Sequence, residues 1–224
     1  MSVGPDPVGG PTRGPRVGAV LLAAGSGSRI GHRPKCLLEF GGEPLVRRLL
    51  RALADAGADP LVVVTGHHAE RVEAALQGLP ATLVRNRDPD AGQTASQRLG
   101  LAALSGRHDA VIVALADQPL IDAQDIATLV AAWAQRPAAV RVVYPEVGGQ
   151  RGNPVIFAAE VREQILAGGA GFGCRQWQAA HPEAVAPFVN GNLHYRIDID
   201  APEDLLRFER ETGLPLRWPA GVSA

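Results

Sequence analysis

The sequence predicts an α/β fold of three layers, with helices on both faces of a mainly parallel sheet, Rossmann-like in outline. Three observations carry that prediction. Apolar runs of strand length alternate with segments of helical spacing. The first apolar run, Val17 to Leu22, empties directly into a loop rich in Gly and Ser. The chain has 224 residues, 46% of them hydrophobic, which suits one α/β domain with a proper core. The expected organisation is a lead-in over 1–16, a single domain over 17–212 and a tail over 213–224.

The elements follow in order. Met1 to Arg16 is rich in Pro and Gly, lacks the apolar stretch of a signal peptide and reads as disordered. Val17–Leu22 is the first strand. Glu43–Ala56 reads as a helix, with Pro44 in its first turn and Gly57 just past its end. Leu45, Val46, Leu49, Leu50 and Leu53 fall on one face of it, with Arg47, Arg48, Arg51 and Asp55 mostly off that face. Leu61–Thr65 is a strand, Ala69–Gln77 a helix, Thr82–Val84 a short strand and Thr94–Leu104 a helix. Ala110–Leu115 is a fully apolar strand ending at Ala116-Asp117, and Asp122–Gln135 is a helix with Asp122 as its N-cap.

After Arg136 the pattern changes. Val140–Tyr144 and Pro154–Phe157 read as strands around the Gly-rich loop 148–152. Ala159–Leu166 and Arg175–Ala180 read as helices, Val185–Val189 and His194–Ile199 as strands. Pro202–Glu211 is the last helix, with Pro202 at an early helical position.

The composition excludes several classes. A net charge of −1 argues against a general nucleic-acid or membrane-surface binder, so neither nucleic acid nor membrane is an expected partner. Cys36 and Cys174 lie far apart without metal-ligand spacing and read as reduced thiols, which points to the cytoplasm. No apolar run approaches the roughly 20 residues of a membrane-spanning helix.

The loop Leu22-Ala23-Ala24-Gly25-Ser26-Gly27-Ser28-Arg29-Ile30-Gly31, followed by Pro34-Lys35, has the outline of a phosphate cradle. Glycines let backbone N–H groups approach a polyphosphate. Arg29 and Lys35 can neutralise its charge. The dinucleotide fingerprint fails here, because Gly25-x-Gly27-x-x-x-Gly31 is one residue too long and Pro34 follows; a P-loop fails because no Gly-Lys-Ser/Thr occurs. An ordinary turn between strand and helix remains the plain alternative.

Carboxylates mark a second feature. Asp117 directly follows an apolar strand, so it emerges at the carboxyl edge of the sheet, where it can either cap a turn ahead of Pro119 or bind a hard cation. In Asp198-Ile199-Asp200, strand alternation would place both carboxylates on one face, where they repel unless a cation or donors intervene. Asp200 also has the position of a cap for the last helix. His67-His68 does not make a zinc site by spacing, since adjacent histidines diverge and no third ligand is near in sequence.

The string L-A-A-G-x-G-x-R-x-G-x-x-P-K resembles the signature loop of nucleotidyltransferases, and the chain from about Val17 to about Phe208 resembles the molybdenum cofactor cytidylyltransferases within that superfamily. The resemblance implies a nucleotidyltransferase fold of the GT-A-like kind, with the nucleotide beyond the strand ends of the first half and the acceptor in the second. It implies that Arg29 and Lys35 are catalytic. Leu22, Ala23, Ala24, Gly25, Gly27 and Ser28 would contact the nucleotide with them, joined by Thr65, Gly66, Gly92 and Ser96 on the base side. Leu115-Ala116-Asp117-Gln118-Pro119-Leu120 resembles the family's L-x-D-x-P-L segment, and Asp198 begins a segment like the family's D-I-D-x-P-E-D; both imply Mg²⁺ ligands, with Asp200 as the cap. Arg151-Gly152-Asn153-Pro154-Val155 resembles the acceptor-side G-N-P-V segment, placing Asn153 and Pro154 there with Arg175. The stretch 169–175 departs from the family's G-D-x-G-A-R loop at Phe172 and Cys174.

The implied reaction moves CMP from CTP to molybdopterin with release of pyrophosphate, and Mg²⁺ is the implied cofactor. The implied partners are CTP, a molybdopterin-type acceptor and a molybdenum-dependent oxidoreductase or its chaperone. The alternatives are a relative that uses GTP or a sugar or alcohol phosphate, a non-catalytic nucleotide-binding delivery protein, and a dehydrogenase disfavoured by the glycine spacing.

Overall fold

The computed structural model describes residues 14–220. The strands and helices are β1 (Val17–Ala23), β2 (Glu39–Phe40), β3 (Glu43–Pro44), α1 (Leu45–Asp55), β4 (Leu61–Thr65), α2 (Ala69–Ala75), β5 (Thr82–Arg85), α3 (Gln93–Ala103) and β6 (Ala110–Leu115) in the first half. The second half holds α4 (Ala123–Ala134), β7 (Val142–Val147), β8 (Gln150–Arg151), β9 (Val155–Ala158), α5 (Ala159–Ala167), α6 (Cys174–Ala180), β10 (Val185–Val189), α7 (Pro202–Thr212) and β11 (Leu216–Arg217).

The main sheet has the order β10-β7-β9-β6-β1-β4-β5, with β8 on β7. β1 pairs in parallel with both β4 and β6, and β4 with β5. β9 runs against its neighbours β6 and β7, while β10 lies parallel to β7. The mainly parallel α/β architecture expected from the sequence is therefore the one found. Every residue of β1 and β4 is buried, as strands covered by helices on both faces must be. α1 packs beside α2 and α4, and α3 beside α5, which in turn contacts α6. No helix among the described residues is long and apolar enough to cross a membrane.

The chain passes from β1 outward through β4 and β5, then returns to β6 on the other side of β1. The carboxyl ends of β1 and β6 thus form the point where the strand order reverses, where open α/β sheets bind ligands.

A second, antiparallel sheet, β11-β2-β3, stands beside this point. It accompanies a satellite core of Ile30, Leu38, Leu45, Ile199 and Phe208. Phe40 meets Phe208 edge to face at 5.7 Å, and the Arg33 guanidinium lies 3.8 Å over the Trp218 ring. Of the segment expected as a tail, residues 213–220 supply a strand and packing residues, and 221–224 lie outside the described residues. The expected lead-in lies outside the described residues up to 13. Its last residue, Arg16, is held by Asp109, which accepts from its backbone N–H at 2.9 Å and from its guanidinium at 3.0 Å.

Other expectations shift for local reasons. Pro44 does not enter the helix: it pairs with Glu39 in β3 and stands extended at the N-cap of α1. Asp122 caps α4 as expected, in a reciprocal box with Asp125. His194–Ile199 is not a strand. Leu193–Tyr195 is a 3₁₀ turn opened by Asn192, whose side chain accepts from the His194 N–H at 3.0 Å. Its main chain bonds to loops instead: the Tyr195 carbonyl accepts from Asn153, and the Ile199 N–H donates to the Asp117 carbonyl at 3.1 Å.

Candidate functional site

The loop after β1 turns on Gly27, whose φ of 63° favours glycine and whose Cβ, if present, would lie 1.9 Å from the Arg33 carbonyl oxygen. Its own carbonyl accepts from Ile30 and His32, both at 2.9 Å. The His68 ring bonds the Ser26 carbonyl at 3.1 Å and steadies the same loop. The loop makes one 3₁₀ turn at Ser28–Ile30 and a second at Lys35–Leu37, where Cys36 and Leu37 are buried. Burial pushes the Cys36 thiol up to about 12, so it is protonated near neutrality.

Lys35 reaches from this turn to two carboxylates. Its Nζ lies 2.5 Å from Asp117 Oδ2 and 2.5 Å from Asp200 Oδ1. Arg29 binds the other Asp200 oxygen at 2.9 Å. Burial works against the Lys35 charge, but Asp117 and Asp200 outweigh it and raise its pKa. Burial likewise opposes the Asp200 charge; Lys35 and Arg29 outweigh it and lower its pKa. Asp198 shows the reverse balance. Burial, then Asp117 and Asp200, raise its pKa, and Lys35 only partly compensates. Among the described residues Asp198 has no ion pair.

Burial of Ile199 explains why these carboxylates converge. Ile199 is fully buried in the satellite core with Leu38, the residue that closes the Lys35 turn. Its flanking residues, Asp198 and Asp200, both line a cavity of about 400 Å³ at the ends of β1 and β6. Leu22, Ala23, Ala24, Gly25, Arg29 and Lys35 line it from one side, Asp117 from another, and Gly92, Gln93 and Ser96 from the start of α3. Asn153 and Arg175 reach it from the second half.

Several expected residues lie elsewhere. Thr65 is fully buried and donates its hydroxyl to Glu73 at 2.8 Å, so it does not reach the cavity. Gly66 lines a separate depression with His67 and His68; a Cβ there would lie 2.8 Å from the Ala24 carbonyl oxygen, so its glycine serves close packing. Gly27 and Ser28 build the turn, and Pro154 lines neither of the two adjoining cavities. Ser96 lines the cavity but its hydroxyl accepts from the buried Asn86 amide at 2.9 Å. Asp200 is not the cap of α7. Asp204 accepts from the Asp200 and Ala201 N–H groups, both at 2.8 Å, and frees Asp200 for Arg29 and Lys35.

Gln118 was not anticipated. It is 3% exposed and donates to the Asn153 and Tyr195 carbonyls, both at 3.2 Å, joining the loop after β6 to two segments of the second half. Its place beside Asp117 in a polar-proline string was the available signal.

The donor set suits a hard divalent cation. Asp117 Oδ1 is buried with no hydrogen-bond partner, Asp198 is unpaired, and both are carboxylates facing one cavity. Asp200 fits less well because both of its oxygens are taken. A second cluster, Asp122, Asp125 and His194, brings its ligand atoms within 4.8 Å. There the Asp125 carboxylate already accepts from the Asp122 N–H, Asn192 and the His194 ring, and the cluster serves to hold the start of α4.

A larger cavity, about 690 Å³, adjoins the first and shares Gln93, Leu115, Asn153 and Arg175 with it. α3 holds the loop beside it. The Arg98 guanidinium donates to the carbonyls of Ile165, Leu166, Gly168 and Phe172, and Gln97 accepts from the Cys174 N–H at 2.8 Å.

A glycine-rich loop, basic side chains and facing carboxylates thus meet in a cleft where the strand order of an α/β sheet reverses, a place where such folds bind ligands. Residues 19–185 match the MobA-like NTP transferase domain, and the chain belongs to that family. It is 32% identical over 204 residues to a nicotine blue oxidoreductase of Paenarthrobacter nicotinovorans, covering 88% of this chain and 98% of that one. It is 34% identical over 145 residues to the bifunctional protein GlmU of Anaeromyxobacter dehalogenans, a match of 63% of this chain but 30% of GlmU. A nucleotidyl transferase from Methanothermobacter thermautotroptrophicus has the same fold, with TM-score 0.71 and 25% identity over 88% of this chain and 97% of that one.

Proposed function

We propose that this protein transfers CMP from CTP to a phosphate of a molybdopterin-type acceptor and releases pyrophosphate. Membership of an NTP transferase family supports the reaction class. The observation that carries the reading is the cleft itself, where the Gly25 loop, Arg29 and Lys35 face Asp117 and Asp198. The choice of CTP and of the acceptor rests on the sequence resemblance.

In this reading the loop N–H groups, Arg29 and Lys35 hold the triphosphate. Asp117 and Asp198 would hold a divalent cation such as Mg²⁺, which supplies further neutralisation of triphosphate charge. An acceptor phosphate oxygen entering from the larger cavity attacks the α-phosphorus in line. The bond to the bridging oxygen of the leaving pyrophosphate breaks as the new P–O bond forms. The nucleophile is already ionised near neutrality, so no general base is needed, and catalysis is positioning and charge neutralisation. Lys35 can then move from its carboxylates onto the phosphates, leaving the acidic oxygens to the cation.

The test is a pyrophosphate-release screen of four NTPs with Mg²⁺, with and without molybdenum cofactor. Acceptor-dependent release with CTP supports the reading; no release with any NTP overturns it. A second reading follows from the Paenarthrobacter relative, whose name is that of an oxidoreductase and whose length this chain nearly spans. Oxidation of NADH or NADPH by the protein with nicotine blue as acceptor would favour that reading.

A further inference from the structure

We propose that the larger cavity carries a two-arginine anion subsite, Arg151 with Arg175, which grips a second negatively charged group of the acceptor. The inference rests on the nucleotidyl-transfer reading for the acceptor's identity. The anion site itself rests on the cavity alone.

The lining of this cavity holds two arginines and no carboxylate. Neither arginine has an ion pair among the described residues. Arg151 has an acidic neighbour in reach of its strand, since Glu146 is its register partner across β7 and β8. No ion pair forms there. The guanidinium instead lies 4.0 Å over the Tyr144 ring and donates to Gln178 Oε1, so its partners are an aromatic face and a neutral amide. Burial, together with the nearby Arg175 charge, lowers the Arg151 pKa. Both arginines are exposed side chains on the wall of one cavity, and with no carboxylate in that lining they leave a positive potential that an anion would relieve. Arginine suits the task, because its planar fork binds phosphate or carboxylate oxygens in pairs.

Position supports the assignment. Arg175 lines both cavities, at the boundary where the reacting phosphate would stand. Arg151 lines only the larger one, with Tyr144 and Gln178. An acceptor that reaches both therefore carries an anionic group besides the one that reacts, on a body flat enough to lie along the Tyr144–Arg151 stack.

Phenyl phosphate is the probe and benzyl alcohol the uncharged control. CTP binding is measured first by calorimetry in EDTA, and each probe is then titrated into the CTP-saturated protein, so that the smaller cavity is filled. We expect phenyl phosphate to bind at least about tenfold more tightly than benzyl alcohol. Arg151→Gln should erase that difference while leaving CTP affinity within about twofold, and Arg151→Lys should keep part of it. Added salt should weaken phenyl phosphate and not benzyl alcohol. Equal binding of the two probes, or wild-type phenyl phosphate affinity in a folded Arg151→Gln protein, overturns the proposal. If Arg151→Gln does not fold, the salt series on the wild type decides: salt-insensitive binding overturns it. Failure of CTP to bind would count against the proposed reaction, whereas the probe titrations would still judge the anion site.

Discussion

The two adjoining cavities handle charge in opposite ways. In the smaller one Lys35 sits between Asp117 and Asp200, and Arg29 holds the far side of Asp200. The larger one holds Arg151 and Arg175 in its lining and no carboxylate. A site that balances its own charges can exchange partners when a metal nucleotide arrives, because a polyphosphate takes the cations and a divalent ion takes the carboxylates. A site left positive waits for an anion and has nothing to exchange. The difference separates a proposed chemical centre, whose charges rearrange during a cycle, from a recognition pocket.

Asp117→Asn tests the balanced cavity most severely. The amide keeps the shape and one acceptor oxygen but loses the charge a divalent ion needs, and Asp117 Oδ1 is the buried oxygen without a partner. We expect turnover to fall by about 1,000-fold or more, about 4 kcal/mol of barrier, with the melting temperature nearly unchanged. A turn-cap role predicts nearly normal turnover, since Asn caps about as well as Asp. Steady-state pyrophosphate release and a thermal melt on the same preparation separate the two.

Lys35→Ala comes next. The proposed role is to neutralise charge at the transferred phosphate, and losing one such contact costs on the order of 3 kcal/mol of barrier. Here the substitution also leaves Asp117, Asp198 and Asp200 facing one another without their ammonium. Divalent ion should therefore protect the variant against unfolding more than it protects the wild type. Wild-type kcat in Lys35→Ala would reduce Lys35 to a partner for two aspartates.

How far these features could be read from the chain depends on what each residue packs against. β1, β4 and β6 were legible because strands covered on both faces are apolar without interruption. The Arg29, Lys35 and Asp117 group was legible because loop chemistry follows directly on those strands. His194–Ile199 was misread because its alternation imitates a strand, although Ile199 points into a satellite core that only the folded chain assembles. Asp200 was misassigned because a cap can be supplied from within the first turn, and Asp204 supplies it. Thr65 lost its expected role to Glu73, a partner one helix away. β11 was invisible because two residues carry no period.

Nucleotide choice should give a smaller effect. We expect CTP to exceed GTP in kcat/KM by about tenfold, a difference of about 1.4 kcal/mol. The motive is the wall that Pro89, Gly92, Gln93 and Ser96 form along the cavity, where a purine base would press on the turn at Pro89–Ala91 more than a pyrimidine would. Site groups that pair with the right base are left unpaired by the wrong one. Equal values, or a preference for GTP, would remove the cytidylyl assignment and leave nucleotidyl transfer intact.

The smallest effect is on stability, and it asks whether the smaller cavity is truly balanced without metal. Asp198 is the exception within it, a carboxylate raised by burial and by Asp117 and Asp200, with Lys35 compensating only in part. A raised folded pKa means that the native state binds more protons than the unfolded chain between the two values. Stability therefore falls as pH rises through that interval, and the penalty is full above it. Asp198→Asn removes the charge that incurs the penalty. In EDTA near neutral pH the variant should melt higher than the wild type by roughly 2 °C, the shift that a fraction of a kcal/mol produces at this chain length. Well below the ordinary carboxylate value of about 4 the gap should close, because the wild-type group is then protonated in both states. Saturating Mg²⁺ should reverse the order, stabilising the wild type through the oxygen the variant lacks. Melts of the two proteins at both pH values, each with EDTA and with Mg²⁺, read all three outcomes. A variant that melts lower than the wild type in EDTA near neutrality would mean that Asp198 is satisfied by the protein itself, and Asp198 would lose its place as a proposed ligand.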